Sequence, residues 1–299
     1  MKVEGIFAPV ATPFRNDGSI DWEMYSGNLK KFAKTSLAGI VSLGSNAEYV
    51  MLSLEEKLGL VKATKKELPK DKMLIAGTGC ESLQDTIHLT NEAAKAGADV
   101  ALVINPTYYK GDLTEAALQK YFESVADKSQ IPIMLYNMPR NSGINLSTNL
   151  VVKLSAHPNI KGIKDSSGNI VQIAEVIASA SDDFFMFAGS GSFLFATTLL
   201  GGKGGTLAVA NVAPDFCAEL YEASKSGDIE KGRKMQLDLL ALNNAVTAGF
   251  GIGGMKAAMD MAGFRGGDPR LPIQPATEEV KGKIRKIMEK LQLIGKYKD

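Results

Sequence analysis

Short apolar segments alternate with longer amphipathic segments along most of the chain. Eight apolar segments end in or near Gly, Ser, Asn or Pro, and they lie at 5–14, 39–46, 73–79, 98–106, 131–139, 160–167, 184–191 and 204–211. The segments between them have helical spacing and abundant Lys and Glu, as at 54–66, 82–96, 114–128, 147–155 and 170–179. A strand followed by a helix, repeated eight times, predicts a (β/α)8 TIM barrel.

A doubly wound open sheet is the structural alternative. That fold normally has fewer strands and a glycine-rich nucleotide loop after the first strand. The first apolar segment here ends instead in Thr12, Pro13 and Phe14. The glycine run at 201–205 precedes a strand rather than opening a helix, which is the wrong context for binding phosphate. The pattern therefore favours the barrel.

The chain continues beyond the eighth apolar segment for long enough to form several more helices. Helical spacing recurs at 214–224, 229–248, 254–261 and 277–293, with Gly- and Pro-rich turns between these segments. A barrel needs only one of these helices. We therefore predict a barrel over 1–224 and a C-terminal helical extension over 225–299 that packs on it.

Composition and charge mainly exclude classes of function. The formal net charge of +1 gives no global field that would attract nucleic acid or an anionic membrane. No stretch has the roughly 18 to 20 apolar residues that span a bilayer, and the N-terminus does not resemble a signal peptide. We therefore expect a cytoplasmic protein with small-molecule ligands.

The residues that commonly bind metals are scarce. The two histidines, His88 and His157, lie far apart in the sequence, and Cys80 and Cys217 form no CxxC pair. We expect both cysteines to be ordinary buried thiols. The sequence therefore predicts no metal site.

One lysine lies where the sixth apolar segment meets a polar turn. In the stretch 160–169, IKGIKDSSGN, strand alternation places Gly162, Lys164 and Ser166 on one face. If this face points into the barrel, Lys164 lies over a residue without a side chain and is shielded from water. Burial penalises the charged form of an amine, so Lys164 could attack a ketone. A solvated surface lysine is the ordinary alternative.

Active sites of α/β barrels lie at the carboxyl ends of the strands, where this chain has further polar residues. Tyr136 ends the strand before that of Lys164, and a phenol beside an amine can relay the protons that imine formation requires. A buried aromatic residue with only a packing role is the alternative. The sequence GSN at 44–46 indicates a nest of backbone N–H groups for a carboxylate, although Ser and Asn are also common helix caps.

Several short motifs, in order along the chain, resemble the dihydrodipicolinate synthase / N-acetylneuraminate lyase family of pyruvate-dependent class I aldolases. The resemblance covers essentially the whole length. It rests on TPF at 12–14, GSNAE at 44–48, AGTG at 76–79, NPTYY at 105–109, YNMP at 136–139, GIKDSSG at 162–168, AGSG at 188–191 and GGTLAVAN at 204–211. It implies a homotetramer, arranged as a dimer of dimers, that needs no cofactor.

The resemblance also implies roles for individual residues. Lys164 would form the Schiff base with the pyruvate ketone, and Tyr136 would relay protons above it. Ser45 lies where the family usually has a relay threonine, and Tyr108 matches a tyrosine that a neighbouring subunit contributes to the same proton relay. The backbone of Ser45 and Asn46 would hold the pyruvate carboxylate. The other expected substrate-binding residues are Asn141, Ser166, Gly189 and Thr206.

Departures from the family pattern bear on the substrate. Dihydrodipicolinate synthases usually have GTTGE at 44–48, and they have an arginine for the semialdehyde carboxylate at the position of Asn141, one residue after Arg140. The GSN motif, CES at 80–82 and the segment 139–143 are more similar to 4-hydroxy-2-oxoglutarate aldolases, which release pyruvate and glyoxylate.

We therefore expect 4-hydroxy-2-oxoglutarate aldolase activity first. A dihydrodipicolinate synthase that condenses pyruvate with aspartate semialdehyde is the second expectation, and a 2-keto-3-deoxy sugar acid aldolase is the third. A barrel that binds an oxo acid without turning it over is the alternative from another class. The joint presence of Lys164, Tyr136 and a hydroxyl at position 45 argues against mere binding.

Overall fold

A computed structural model describes residues 3–298, and within that range the chain forms a closed barrel of parallel strands. The strands follow one another around the barrel in chain order, and the last pairs with the first. They are β1 Gly5–Pro9, β2 Gly39–Ser42, β3 Met73–Gly77, β4 Val100–Ile104, β5 Ile133–Asn137, β6 Ile160–Asp165, β7 Phe185–Ala188 and β8 Gly204–Thr206. This topology confirms the predicted TIM barrel.

Helices cover the outside of the barrel and continue beyond it. They are α1 Trp22–Ala33, α2 Leu54–Glu67, α3 Leu83–Lys95, α4 Glu115–Lys128, α5 Pro139–Ser142, α6 Thr148–Ser155, α7 Ile170–Ser179, α8 Leu194–Leu199, α9 Pro214–Lys225, α10 Ile229–Asn244, α11 Gly251–Ala262 and α12 Glu278–Lys290. Many begin at a Ser, Thr, Asp or Asn cap; in α2 the cap is a capping box between Ser53 and Glu56. Helices α1, α5 and α8 lie outside the helical segments named from the sequence.

The strands end earlier than their apolar segments. Within the barrel, the strand of segment 5–14 ends at Pro9 and that of 39–46 ends at Ser42, after which Ser45–Ala47 forms a 3₁₀ turn. Val10 and Leu43, beyond these ends, are buried all the same. Hydrophobicity therefore marks burial rather than the end of strand pairing, so the strands are shorter than the apolar segments.

Small residues inside the barrel make room for aromatic rings from neighbouring strands. A Cβ atom at Gly39 would lie 2.6 Å from the Phe7 ring, and one at Gly162 would overlap the Phe185 ring. The interior is thus filled by side chains such as Phe7, Phe185 and Phe187. This packing closes the barrel beneath the ends of β5 and β6.

The helices after β8 pack on the barrel through a shared hydrophobic core. Helix α9 closes the eighth βα unit, and Met255, Ile284 and Met288 of the later helices belong to the same cluster as Ile6 and Ile40 of the strands. The division into 1–224 and 225–299 stays a prediction; its outermost residues, Met1, Lys2 and Asp299, lie outside the described part.

The predicted helix 229–248 is not regular throughout. It is α-helical only to Asn244, and the segment Ala245–Gly249 forms a π-helical turn before α11 begins at Gly251. Among the described residues, no helix is long and apolar enough to cross a membrane. Cys217 is buried as expected, whereas Cys80 is only partly buried because it lies in the loop after β3.

Candidate active site

The carboxyl ends of the strands surround a cavity of about 510 Å³. The structure brings most of the expected site residues together around it. These lining residues are Ser45, Asn46, Tyr136, Asn141, Lys164, Ser166, Gly189 and Thr206. Their convergence follows from the parallel barrel, in which all strand ends meet at one face.

Lys164 and Tyr136 form the floor of the cavity. They are register partners on β6 and β5, and the Lys164 Nζ atom lies 4.0 Å from the centroid of the Tyr136 ring. Lys164 is only 4% exposed and Tyr136 only 5%. The predicted inward face of β6 is confirmed, since Lys164 lines the cavity while Ile163 packs in the hydrophobic cluster formed with helices α4 and α6.

The phenol of Tyr136 has an unusual electrostatic environment. Burial by itself would raise its pKa, but the nearby Lys164 ammonium and hydrogen bonds with Ser45, Lys164 and Ser166 outweigh this effect. The pKa of Tyr136 therefore lies below the ordinary value for a phenol. The Ser45 Oγ atom is 3.4 Å from the Tyr136 hydroxyl oxygen, which joins the two hydroxyls and the amine into one chain of proton carriers.

Ser45 and Asn46 begin the 3₁₀ turn that follows β2. The amides at the start of such a turn have no intrahelical acceptor, so they can bind an anion. Two buried side-chain atoms nearby, Asn46 Nδ2 and Thr206 Oγ1, have no hydrogen-bond partner within residues 3–298. These groups give the cavity a set of polar atoms that can contact a bound carboxylate or carbonyl.

The rim beside α5 carries two exposed polar residues. Arg140 and Asn141 both line the cavity, so the one-residue offset from the position of the family arginine does not turn Arg140 away. Among residues 3–298, Arg140 forms no salt bridge with a carboxylate. It was not among the site residues expected from the sequence.

Tyr108 does not line the cavity of its own chain. Its side chain is 78% exposed and packs edge-on against Tyr109, with ring centroids 5.0 Å apart. Both carboxylate oxygens of Glu81 accept hydrogen bonds from the Thr107 amide, and Oε2 also accepts one from the Tyr108 amide, which holds this loop in place. The contribution of Tyr108 to a neighbouring subunit stays a prediction.

The C-terminal extension supplies residues that sequence reasoning missed. Val246 and Thr247 of the π-helical turn, together with Gly251 and Ile252 at the start of α11, form one wall of the cavity. The glycine-rich stretch at 249–254 is the signal in the sequence, and by itself it indicates only a turn. Among the described residues, no group of three or more His, Cys, Asp or Glu side chains is placed to hold a metal ion.

Comparisons with known proteins agree with this architecture. The model of the dihydrodipicolinate synthetase family matches residues 2–291. A 4-hydroxy-tetrahydrodipicolinate synthase of Archaeoglobus fulgidus is 36% identical, over 98% of this chain and 99% of its own length. A probable mitochondrial 4-hydroxy-2-oxoglutarate aldolase of Emericella nidulans is 34% identical, over 97% and 96%.

Solved structures give the same result. A prophage protein of E. coli K12 from the dihydrodipicolinic acid synthase family, solved in complex with pyruvate, superposes with a TM-score of 0.91. It is 30% identical, and the match covers 98% of this chain and 100% of that one. The chain therefore belongs to the dihydrodipicolinate synthetase family and is an aldolase-type lyase.

Proposed function

We propose that the chain is a class I aldolase in which Lys164 forms a Schiff base with the C2 ketone of pyruvate or of a 4-hydroxy-2-oxo acid. The observation that carries this proposal is the buried amine of Lys164, 4.0 Å from the centroid of the Tyr136 ring at the floor of the cavity. A buried amine beside a proton relay is the arrangement that imine formation requires.

In the cleavage direction, the Lys164 nitrogen attacks C2, and the carbinolamine loses water to give a protonated imine. The C4 hydroxyl then loses its proton as the C3–C4 bond breaks, which releases an aldehyde and leaves the electron pair in an enamine. Protonation at C3 and hydrolysis return pyruvate and the free lysine. The imine itself is the electron sink, so the proposed steps need no metal and no organic cofactor.

The proton transfers fall to Tyr136, with Ser45 as its partner at 3.4 Å. The lowered pKa of Tyr136 suits this role, since the phenolate can accept the C4 hydroxyl proton. The backbone amides of Ser45 and Asn46 would hold the pyruvate carboxylate, with Ser166, Gly189 and Thr206 around the bound group. Asn141 would contact the acceptor at the rim.

The charges around the cavity favour a particular acceptor. Arg140 supplies a cation for a carboxylate, and both glyoxylate and aspartate semialdehyde carry one. Aspartate semialdehyde also carries an ammonium group, and binding it would require an unpaired carboxylate in the cavity. The acidic side chains that line the cavity within residues 3–298 are Glu48 and Glu81, and both are engaged, by Lys256 and by the 107–108 loop respectively.

We therefore propose 4-hydroxy-2-oxoglutarate as the substrate, with pyruvate and glyoxylate as the products. The similarity to the Emericella aldolase supports this choice. Dihydrodipicolinate synthase activity is the second candidate, because the Archaeoglobus relative carries that name at 36% identity. A 2-keto-3-deoxy sugar acid aldolase is the third, and a non-catalytic oxo-acid-binding barrel remains the alternative from another class.

Borohydride trapping with pyruvate, followed by peptide mapping by mass spectrometry, tests the mechanism. The native protein should gain one pyruvate-derived adduct, located on Lys164, and Lys164→Ala should gain none. Lys161→Ala is the matched control, because Lys161 lies on the same strand but pairs with Asp183 at the surface. If the native protein is folded but gains no pyruvate-derived adduct, the result would support the binding-protein alternative instead.

Turnover assays then test the substrate. We expect faster cleavage of 4-hydroxy-2-oxoglutarate than condensation of pyruvate with aspartate semialdehyde, and the reverse order would favour the second candidate. We also propose a homotetramer in which Tyr108 reaches a neighbouring subunit. A fully active monomer in analytical ultracentrifugation would contradict that role, and the cytoplasmic location stays a prediction.

A further inference from the structure

Glu48 lies directly after the turn that presents Ser45 and Asn46, and its backbone is left-handed, with φ of 57°. A residue other than glycine adopts this conformation only when its surroundings enforce it. Its side chain is fully buried and points to the C-terminal extension, where its Oε1 atom lies 2.7 Å from the Nζ atom of Lys256. The mechanism proposed above assigns Glu48 no role.

Lys256 lies on α11 and is only 2% exposed. Besides contacting Glu48, its ammonium donates hydrogen bonds to the carbonyl oxygens of Thr12, at 2.8 Å, and Asp268, at 2.7 Å. Thr12 in turn donates a hydrogen bond from its hydroxyl to the carbonyl of Ala47. One ammonium thus joins three segments: the loop that follows β1, the active-site turn and the loop that follows α11.

Arg270 of the extension also contacts the segment 45–51. Its backbone N–H donates to Glu48 Oε2 at 2.7 Å, and its guanidinium donates to Met51 O and to both carboxylate oxygens of Glu56. Both cations lie close to the Phe14 ring, whose centroid is 4.8 Å from Lys256 Nζ and 4.3 Å from Arg270 Cζ. The extension therefore holds this segment at Glu48 and at Met51.

An ion pair is an inefficient way merely to attach the extension. Desolvation offsets much of the attraction in a buried pair, and apolar side chains of similar volume often stabilise a fold as well. The ion pair does restrain the orientation of the Glu48 side chain, because a carboxylate bound by two fixed donors can take only one orientation. That orientation fixes the left-handed backbone conformation of Glu48, which follows Ser45, Asn46 and Ala47.

We propose that Lys256 and Glu48 are a positioning pair, through which the C-terminal extension holds the 45–48 turn so that Ser45 faces Tyr136 and the turn amides face the bound carboxylate. Neither side chain is expected to react with substrate. The kinetic readout of this inference rests on the proposed function. A displacement of about 1 Å in a catalytic group can lower a rate by about 100-fold.

The test compares Lys256→Met, Glu48→Gln and Asn28→Ala with the native protein. Asn28 is the matched control: it is buried, and it also ties the extension to the barrel, through two hydrogen bonds with the backbone of Arg265. Each variant is assayed for the kcat of cleavage, the KM for pyruvate in condensation with glyoxylate, and the midpoint of thermal unfolding.

We expect Lys256→Met to lower kcat by roughly 10- to 100-fold and to raise the KM for pyruvate, whereas Asn28→Ala lowers only the unfolding midpoint. Glu48→Gln, which preserves shape, should change the kinetics in the same direction and covers the case in which Lys256→Met fails to fold. Native kinetics in a folded Lys256→Met or in Glu48→Gln would overturn the inference. So would equal kinetic losses in Asn28→Ala at the same loss of stability.

Hydrogen exchange separates this inference from the proposed function. A peptide covering 44–51 should exchange faster in Glu48→Gln than in the native protein, and at the native rate in Asn28→Ala. This readout needs no substrate. If the native protein forms no adduct with pyruvate, the proposed function fails while the positioning of the turn is still tested, and unchanged exchange in Glu48→Gln would overturn it.

Discussion

The Lys164 ammonium nitrogen lies 4.0 Å from the centroid of the Tyr136 ring, and the two residues are register partners on adjacent strands. Each therefore sets the electrostatic environment of the other. The cation favours the phenolate, and this attraction together with hydrogen bonds outweighs burial, so the pKa of Tyr136 is lowered. By contrast, burial raises the pKa of nearby Tyr49 to about 12.

This relationship predicts the order in which the tyrosines ionise. In the native protein, Tyr136 should become a phenolate before Tyr49, and in Lys164→Met burial should prevail and raise the pKa of Tyr136. Ultraviolet difference titration at alkaline pH measures this ionisation, with Tyr136→Phe identifying its contribution. An unchanged titration in Lys164→Met would contradict the coupling.

The hydroxyl of Ser45 should matter for rate more than for binding. Loss of one proton-relay group typically lowers a rate by about 100-fold, so we expect a fall of that order in kcat for Ser45→Ala. Ser45→Thr keeps the hydroxyl and should retain most of the activity. Steady-state kinetics check this expectation, and equal activity in Ser45→Ala and the native protein would remove Ser45 from the relay.

Arg140 should select the acceptor. Arg140→Gln removes a charge-assisted hydrogen bond, so the KM for glyoxylate should rise by about 10- to 100-fold, while the KM for pyruvate stays unchanged. Arg233→Gln, at an exposed site on α10, is the control. A rise confined to pyruvate would instead place Arg140 at the carboxylate of the Schiff-base partner.

Two glycine substitutions should have opposite effects on stability. A Cβ atom at Gly162 would overlap the Phe185 ring and lie 2.6 Å from the Phe185 carbonyl oxygen, so Gly162→Ala should destabilise the fold by about 1–3 kcal/mol. Gly27, on α1, has open space around its Cβ position, and Gly27→Ala should stabilise by about 0.5–1 kcal/mol. Urea unfolding measures both, and a neutral Gly162→Ala would contradict this account of the barrel interior.

Asp260 should make the fold less stable as the pH rises. Burial raises its pKa above the usual 3.8, so the folded state retains the proton longer than the unfolded state. The stability that this proton confers is complete below pH 3.8 and is lost as the pH rises through the folded-state pKa.

Asp260→Asn keeps an oxygen that can accept from the Gly266 amide, as Asp260 does at 2.7 Å, and stays neutral. It should therefore unfold at a higher temperature than the native protein above pH 4, with no advantage at lower pH. Asp183→Asn should have the opposite effect on the unfolding temperature, because the hydrogen bond from Lys161 lowers the pKa of Asp183 and the ionised carboxylate therefore stabilises the fold. Unfolding scans at several pH values check both signs.

The sequence by itself determined the barrel and the floor of its cavity. Strand and helix periods are local properties, and consecutive strands in a βα repeat lie side by side, so the pairing of Tyr136 with Lys164 followed from their positions in chain order. The GSN turn and the other strand-end residues followed from the same rule, because parallel strands all end at one face.

Only the tertiary structure decided which distant segments complete the site. Thr247 enters the cavity from a π-helical turn of the extension, and Lys256 meets Glu48 across more than 200 residues of chain. Such contacts depend on how the extension docks on the barrel, and no periodic pattern specifies docking. The direction of Arg140 depended likewise on the short helix α5, whose geometry a one-residue offset in the sequence does not reveal.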